Sequence, residues 1–239
     1  MKRSFITLLL ALVGLLAGAE VRAEAFVDIY AGGAFTNDAS SNISIPPVFQ
    51  PAPPPPTSIA RDANVSTRFD DSVTYGLRAG YWFGRWFGMA IDAFTFEPNL
   101  SGMPFTPDAD VRVIPISALL MLRWPLLQDD DYPLGRLHPY IGGGPALMIS
   151  EFEGFVDLAL FNFTGITPPS GTLKSKNVDP AMQLLVGLDF EILPFVGVFG
   201  EYRYTLAEPV WSDNIGGLST DFSVPLRTHH IVGGLSFRF

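Results

Sequence analysis

His229-His230-Ile231-Val232-Gly233-Gly234-Leu235-Ser236-Phe237-Arg238-Phe239 alternates to its last residue and stops on an aromatic carboxy-terminus. Counting back by twos from Phe239 puts Phe237, Leu235, Gly233 and Ile231 on one face, and Arg238, Ser236, Gly234, Val232 and His230 on the other. That is the two-residue period of a β-strand. Whether its apolar face meets a protein core or lipid depends on the rest of the chain.

The other end reads Met1-Lys2-Arg3, an apolar run over residues 5–19, and the small-x-small site Val21-Arg22-Ala23. The run falls short of the ~20 residues a membrane helix needs. Residues 1–23 are therefore read as a secretory signal peptide, cleaved after Ala23, and residues 24–239 as the mature domain. No later stretch is continuously apolar for long enough to be a membrane helix, yet the chain is 48% hydrophobic. Apolar residues dispersed by alternation in an exported chain are the composition of a transmembrane barrel, and the 13% aromatic content agrees with interfacial girdles.

Composition also excludes. Without cysteine there is no disulfide and no thiolate metal site. The formal charge is −9, and −11 once Lys2, Arg3, Glu20 and Arg22 leave with the signal. Such a surface repels nucleic acid, and no nucleic-acid partner is expected.

Eight strands are read at 26–36, 72–83, 86–97, 111–124, 138–151, 178–192, 195–206 and 226–239. The connections at Phe83-Gly84-Arg85-Trp86 and Ile192-Leu193-Pro194-Phe195 are tight, whereas those after Thr36, Glu97, Glu151 and Leu206 are long and rich in Pro, Gly, Ser, Asn and Asp. Short turns on one side and long loops on the other are the asymmetry of outer-membrane barrels. The fold predicted is all-β, an eight-stranded antiparallel up-and-down transmembrane β-barrel. The connection at 125–137 is long for a periplasmic turn, and its Asp129-Asp130-Asp131 run reads as solvated, since no spaced ligand set follows it. The Pro-rich stretch at 45–56 reads as an extended, mobile excursion.

Parity assigns faces. A basic group facing lipid at mid-bilayer costs ~2 to 4 kcal/mol, so the strand charges turn inward: Arg78, Arg123, Arg203 and Arg238 against Asp28, Asp92, Asp189, Glu191 and Glu201. Gln183 turns inward with them. Buried charge must be paired, which predicts a mid-height network of Arg78, Asp92, Glu201 and Arg203. A second is predicted toward the periplasmic end around Arg238, with Asp28, Arg123, Asp189 and Glu191 at that level. Phe94, Phe96, Phe199, Leu119 and Met121 also point inward, as filling or as an apolar pocket in the upper lumen. Tyr81, Phe83, Trp124, Tyr140 and Phe239 read as an interfacial belt at the short-turn ends, with Tyr202 and Tyr204 nearer the loops.

With these elements in place the chain resembles the small outer-membrane β-barrel family that includes the opacity-type porins and the OmpA-like transmembrane domains. The residues that carry the resemblance are Pro139-Tyr140-Ile141-Gly142-Gly143-Gly144-Pro145, Gly200-Glu201-Tyr202-Arg203-Tyr204-Thr205 and the terminal Gly233 to Phe239. The resemblance implies a Gram-negative outer-membrane location and lipid as the surrounding partner. It also implies recognition of Leu235, Phe237 and Phe239 by the barrel-assembly machinery.

Three functions follow as expectations. The first is a structural or surface-interaction barrel whose long loops contact host, phage or neighbouring cells. The second is a narrow porin or carrier of small or apolar molecules. The third is a rim enzyme acting on lipid A, for which His229 and His230, with Asp70, Asp71, Asp213 or Asp221, are the available groups. No His-x-Ser pair or Gly-x-Ser-x-Gly elbow accompanies them. The reading is therefore of a protein that is not an enzyme, with no catalytic, cofactor-binding or metal residues and no cofactor.

Overall fold

The computed structural model describes residues 23–48, 59–98, 100–103, 106–130, 132–157, 170–215 and 218–239. Residues 1–22 of the 1–23 segment read as a signal peptide, and the part of the Pro-rich stretch beyond Val48, lie outside the described residues. The described strands, in chain order, are β1 (Ala23–Thr36), β2 (Ala39–Val48), β3 (Ile59–Phe69), β4 (Ser72–Phe83), β5 (Phe87–Phe96), β6 (Leu100–Met103) and β7 (Thr106–Arg123). They continue with β8 (Leu137–Asp157), β9 (Ser170–Leu193), β10 (Val196–Ala207), β11 (Val210–Ile215), β12 (Leu218–Ser223) and β13 (Leu226–Arg238).

Eight of these form a ring, β7-β5-β4-β1-β13-β10-β9-β8, and β8 pairs back onto β7. Every neighbour is antiparallel. Closure is what makes the sheet viable in lipid, because an open edge would leave backbone N–H and C=O groups with no water to bond. The first and last strands close it. Their register runs from Phe26↔Arg238 to Thr36↔Thr228. The terminal Phe239 N donates to Ala25 O at 2.9 Å, so the aromatic end of the chain is itself part of the seam.

Alternation produces the two faces. On β4 one parity is outward, with Val73 68% and Tyr75 58% exposed, while Thr74, Arg78 and Trp82 are buried. Ile116, Leu120, Leu122, Leu147, Met182, Leu184, Val186, Ile231 and Leu235 continue the outward apolar face around the barrel. On a soluble monomer so wide an exposed apolar surface would be an aggregation hazard; here it is the lipid contact. Tyr81, Phe83, Trp124 and Phe239 lie outward at the short-turn end, as the belt requires. Tyr140 does not. It shares the inward parity of His138 and is buried in the lumen.

The described residues of the segments expected as long loops are largely strand. β7, β8 and β9 run on past the expected ends, to Thr106, Asp157 and Ser170 respectively, in unbroken register (for example Glu151↔Lys176 and Asp157↔Ser170). β2 pairs β3 and β11 pairs β12, with β12 bridging to β2. The Pro-rich stretch enters this structure at its start, since Ile45 pairs Arg61 and Val48 pairs Ile59. The Asn and Ser content that reads as loop alternates with β-branched residues, as in Asn42-Ile43-Ser44-Ile45 and Asn64-Val65-Ser66-Thr67. Once a barrel strand supplies a template edge, that pattern propagates pairing beyond the membrane. The tight turn after β4 contains Gly84 at φ +95°. In the longer turn at 125–137, Asp129 Oδ1 accepts from Tyr132 N at 2.7 Å and Gly135 takes φ +92°.

The wall is close-packed where its glycines face inward. A Cβ on Gly144 would lie 1.9 Å from Ala118 O, whereas one on outward Gly200 would meet nothing within 4 Å. Gly144→Val is expected to abolish folding and Gly200→Val to leave it intact. The check is heat-modifiable migration after refolding into lipid vesicles; comparable folding of both variants would contradict the packing described.

Candidate functional site in the barrel lumen

Inward parity on eight converging strands brings ionisable groups together in two tiers. In the upper tier Arg203 is fully buried; its Nη1 donates to Asp92 Oδ2 at 2.8 Å and to the Tyr30 hydroxyl at 2.6 Å, and its Nε to Glu201. Arg78 donates from Nη1 to Glu201 Oε2 at 2.6 Å and from Nε to Asp28 Oδ2 at 2.7 Å. Hydroxyl and amide groups complete the acceptors. Tyr140 donates to Glu201 Oε2 at 2.7 Å, Tyr30 to Asp92 Oδ1 at 2.5 Å and Gln183 Nε2 to Asp92 Oδ2 at 2.9 Å, with Ser117 donating to the Gln183 carbonyl. The guanidinium planes also lie over aromatic faces, Arg203 at 3.9 Å from the Tyr30 centroid and Arg78 at 5.3 Å from Phe199.

The lower tier is built on Arg238, which pairs Asp189 and Glu191 and lies 3.3 Å from Glu24. Arg123 Nη2 donates to the other Glu24 oxygen at 2.7 Å, and its guanidinium covers the Trp82 ring at 4.4 Å. Arginine has donors only, so the 3.4 Å contact from Arg238 Nη2 makes His138 Nδ1 the acceptor. His138 Nε2 then carries the proton and donates to Leu134 O at 3.2 Å.

All nine predicted lumen charges are buried. Asp28 departs from its expected level. The antiparallel register sets it opposite Arg78, so it joins the upper tier rather than the group around Arg238. Parity alone fixes a face; the register that fixes height depends on strand stagger. Tyr30, Tyr140, Ser117 and Glu24 were missed as network members, although the inward parity of Tyr30 with Asp28 was a usable signal.

Apolar side chains close the rest. Above the upper tier Phe69, Phe94, Phe96, Val111, Val113, Met148, Phe152 and Leu226 belong to one buried cluster. Leu119 and Met121, expected beside Phe94 and Phe96, instead belong to a lower cluster with Phe26, Trp82, Ala90, Tyr140 and Leu185. In the described upper lumen aromatic rings pack together, with Phe94 and Phe96 stacked at 6.1 Å and both edge-on to His230.

That packing also places the two histidines. His230 is wholly buried against Thr205 Oγ1 at 3.3 Å, and His229 lies on the outer face, bonded to the Tyr202 hydroxyl at 2.6 Å. The two imidazoles point to opposite sides of the wall and do not form one rim site. The side chains of Asp213 and Asp221 lie outside the described residues.

On the outward face above the apolar band, Arg112 pairs Glu97 at 2.7 Å, Lys176 pairs Glu151 at 2.6 Å and Lys174 pairs Glu153 at 2.8 Å. The hydrogen bond that Lys176 donates holds the Glu151 carboxyl below its ordinary range, and the one that Lys174 donates to Glu153 raises the Lys174 ammonium. These pairs are solvent-exposed, and exposed pairs contribute little to stability.

The contrast gives a prediction. Arg203→Met takes the cation from buried Asp92 and leaves Glu201 with Arg78 alone, and is expected to remove about 3 to 5 kcal/mol of stability, read as a lowered urea midpoint in lipid vesicles. Arg112→Gln is expected to leave that midpoint unchanged.

The comparisons with known proteins agree with this architecture. The family model described as outer membrane protein beta-barrel domain matches residues 6–239. Among solved structures, the outer membrane protein OprG from Pseudomonas aeruginosa is similar with a TM-score of 0.52 and 18% identity, covering 92% of this chain and 97% of its own. Neisserial surface protein A is a weaker likeness, with a TM-score of 0.46 and 13% identity over 90% of this chain and 97% of its own. No curated protein matches the chain by sequence. With the model spanning nearly its whole length, the chain belongs to the outer membrane protein beta-barrel domain family, whose members lie in the Gram-negative outer membrane.

Proposed function

We propose that the protein is a closed barrel that serves as a rigid membrane scaffold and works through the β-structure it projects outside the cell, contacting host, phage or neighbouring-cell surfaces. On this reading residues 1–23 direct export and are cleaved, residues 24–239 are the working domain, and the terminal Leu235, Phe237 and Phe239 are recognised during assembly. The observation that carries it is the filled lumen. Two charge tiers and two apolar clusters occupy the described interior, and eight strands leave an interior just wide enough for side chains to fill. Investment outside the membrane is correspondingly large, since β7, β8 and β9 extend well past the lipid-facing band. Binding usually resides on projections from a rigid scaffold. One histidine buried in the lumen and the other on the outer face weigh against a rim enzyme, and the aromatic packing of the upper lumen weighs against a carrier.

Two measurements test this. In planar bilayers the refolded mature chain is expected to give no steady conductance, and Arg78→Ala is expected to stay silent because the apolar cluster above it remains; regular channels would favour the narrow-porin reading. Cells displaying the full chain are expected to adhere to host-cell or neighbouring-cell surfaces more than cells whose β8–β9 extension, residues 152–175, is replaced by a short turn. Equal adhesion by two equally folded proteins would refute the surface role.

A further inference from the structure

The connection at 125–137 begins by carrying the outer face of the wall past the aromatic belt. On β7 the outward parity runs Leu120, Leu122 and Trp124, all exposed, and Leu126 follows in the same parity at 46% exposure. Backbone pairing continues with it. Trp124 N donates to Pro139 O at 2.9 Å and Leu126 N to Leu137 O at 2.8 Å, and Leu137 N returns to Leu126 O at 3.2 Å. Leu137 in turn pairs with Phe190, which is outward on β9. As far as Leu126 the hairpin is therefore wall. At ~3.3 Å of rise per residue and the tilt of a barrel strand, it takes apolar surface about 5 Å beyond Trp124.

Leu127 comes next, 62% exposed and at φ +56°. A leucine rarely adopts that conformation, and such strain persists only where the surroundings impose it. Here they do. Arg136 N donates to Leu126 O at 2.9 Å and to Leu127 O at 3.2 Å, and Arg136 Nε reaches Glu191 O at 3.2 Å. Arg85 Nη2 donates to Pro133 O at 3.2 Å and the Tyr132 hydroxyl to Ile192 O at 3.4 Å, so the segment is fastened to the short turns on both sides of it. A rigid turn thus holds two leucines exposed at the cost of backbone strain, and in water neither side chain gains anything from it.

We propose that Leu126 and Leu127 insert into the periplasmic leaflet of the outer membrane, making this turn an anchor in phospholipid. Continuity selects lipid as the occupant, because the leucines extend the outward row that already meets it. Trp86 and Leu193, on the two turns to which the segment is fastened, are exposed as well, so the apolar surface runs on around the rim. Asp129 and Asp130 are exposed nearer the tip, and their charge limits insertion to the leucines. The apolar wall is consequently taller here than beside the β4–β5 turn, whose Trp86 O accepts from Arg123 N, three residues short of Leu126. The anchor sets the depth of this side of the barrel in the leaflet.

The chain has no cysteine, so a single bimane label reports one position. The mature chain is refolded into vesicles of phosphatidylethanolamine and phosphatidylglycerol. Bimane on Leu127→Cys is expected to be quenched by doxyl-labelled phosphatidylcholine and little by iodide present on both sides, with the reverse for bimane on Asp129→Cys. Equal iodide quenching at the two positions would overturn the proposal. So would protection of position 127 from both quenchers, which would place the leucine against protein. A second comparison reads the unlabelled side chain. Leu127→Met and Leu127→Gln are nearly isosteric and make the same demand on the backbone, so their difference reports the surroundings of the side chain alone. In these vesicles the methionine variant is expected to have a folding equilibrium constant at least about threefold above that of the glutamine variant; equal constants would mean a turn in water.

Discussion

The constraint on which the rest of this structure depends is that a closed barrel in lipid has one hidden interior in which to put every polar group its strands cannot show the membrane. Ring closure satisfies the backbone, and charge pairing must satisfy the side chains. Arg203, Arg78 and Arg238 do this by each engaging carboxylates from two different strands, and Arg123 by pairing Glu24 and covering the Trp82 ring. The pairs are therefore also tethers across the lumen. They hold strands that are distant in sequence, as in Arg78 with Glu201 and Arg203 with Asp92, at fixed separation.

The aromatic hydroxyls have a specific part in this. Tyr30 accepts from Arg203 and donates to Asp92, and Tyr140 donates to Glu201, so each carboxylate meets donors of more than one kind. Their rings meanwhile pack with the neighbouring apolar clusters. Tyrosine thus joins the ionic tiers to the hydrophobic filling without leaving a polar atom stranded, which suits an interior where charge and hydrocarbon alternate along the barrel axis. The result is an interior suited to rigidity more than to transport.

Outside the membrane the same strands change chemistry without changing geometry. The outward parity of β9 that carries Val186, Leu184 and Met182 continues through Val178 into Lys176 and Lys174. A strand passing from lipid to water keeps its pleat and its register, and only the residue type on the outer face switches. This is why the projections are continuous with the wall, and why segments rich in Asn and Ser still pair.

Local alternation and the asymmetry of the connections were enough, from sequence, to establish the eight barrel strands and their antiparallel closure, the lipid-facing stripe and the inward direction of all nine lumen charges, because side-chain facing in a strand depends only on parity. Tertiary structure alone decided heights and partners. Asp28 met Arg78 because of the β1–β4 register, Leu119 and Met121 fell below the charge belt because of strand stagger, and Tyr140 left the expected interfacial belt for Glu201. Stagger is a property of the closed ring. The strand extensions beyond the membrane were hidden for a related reason, since their pairing relies on template edges that exist only after the barrel has formed.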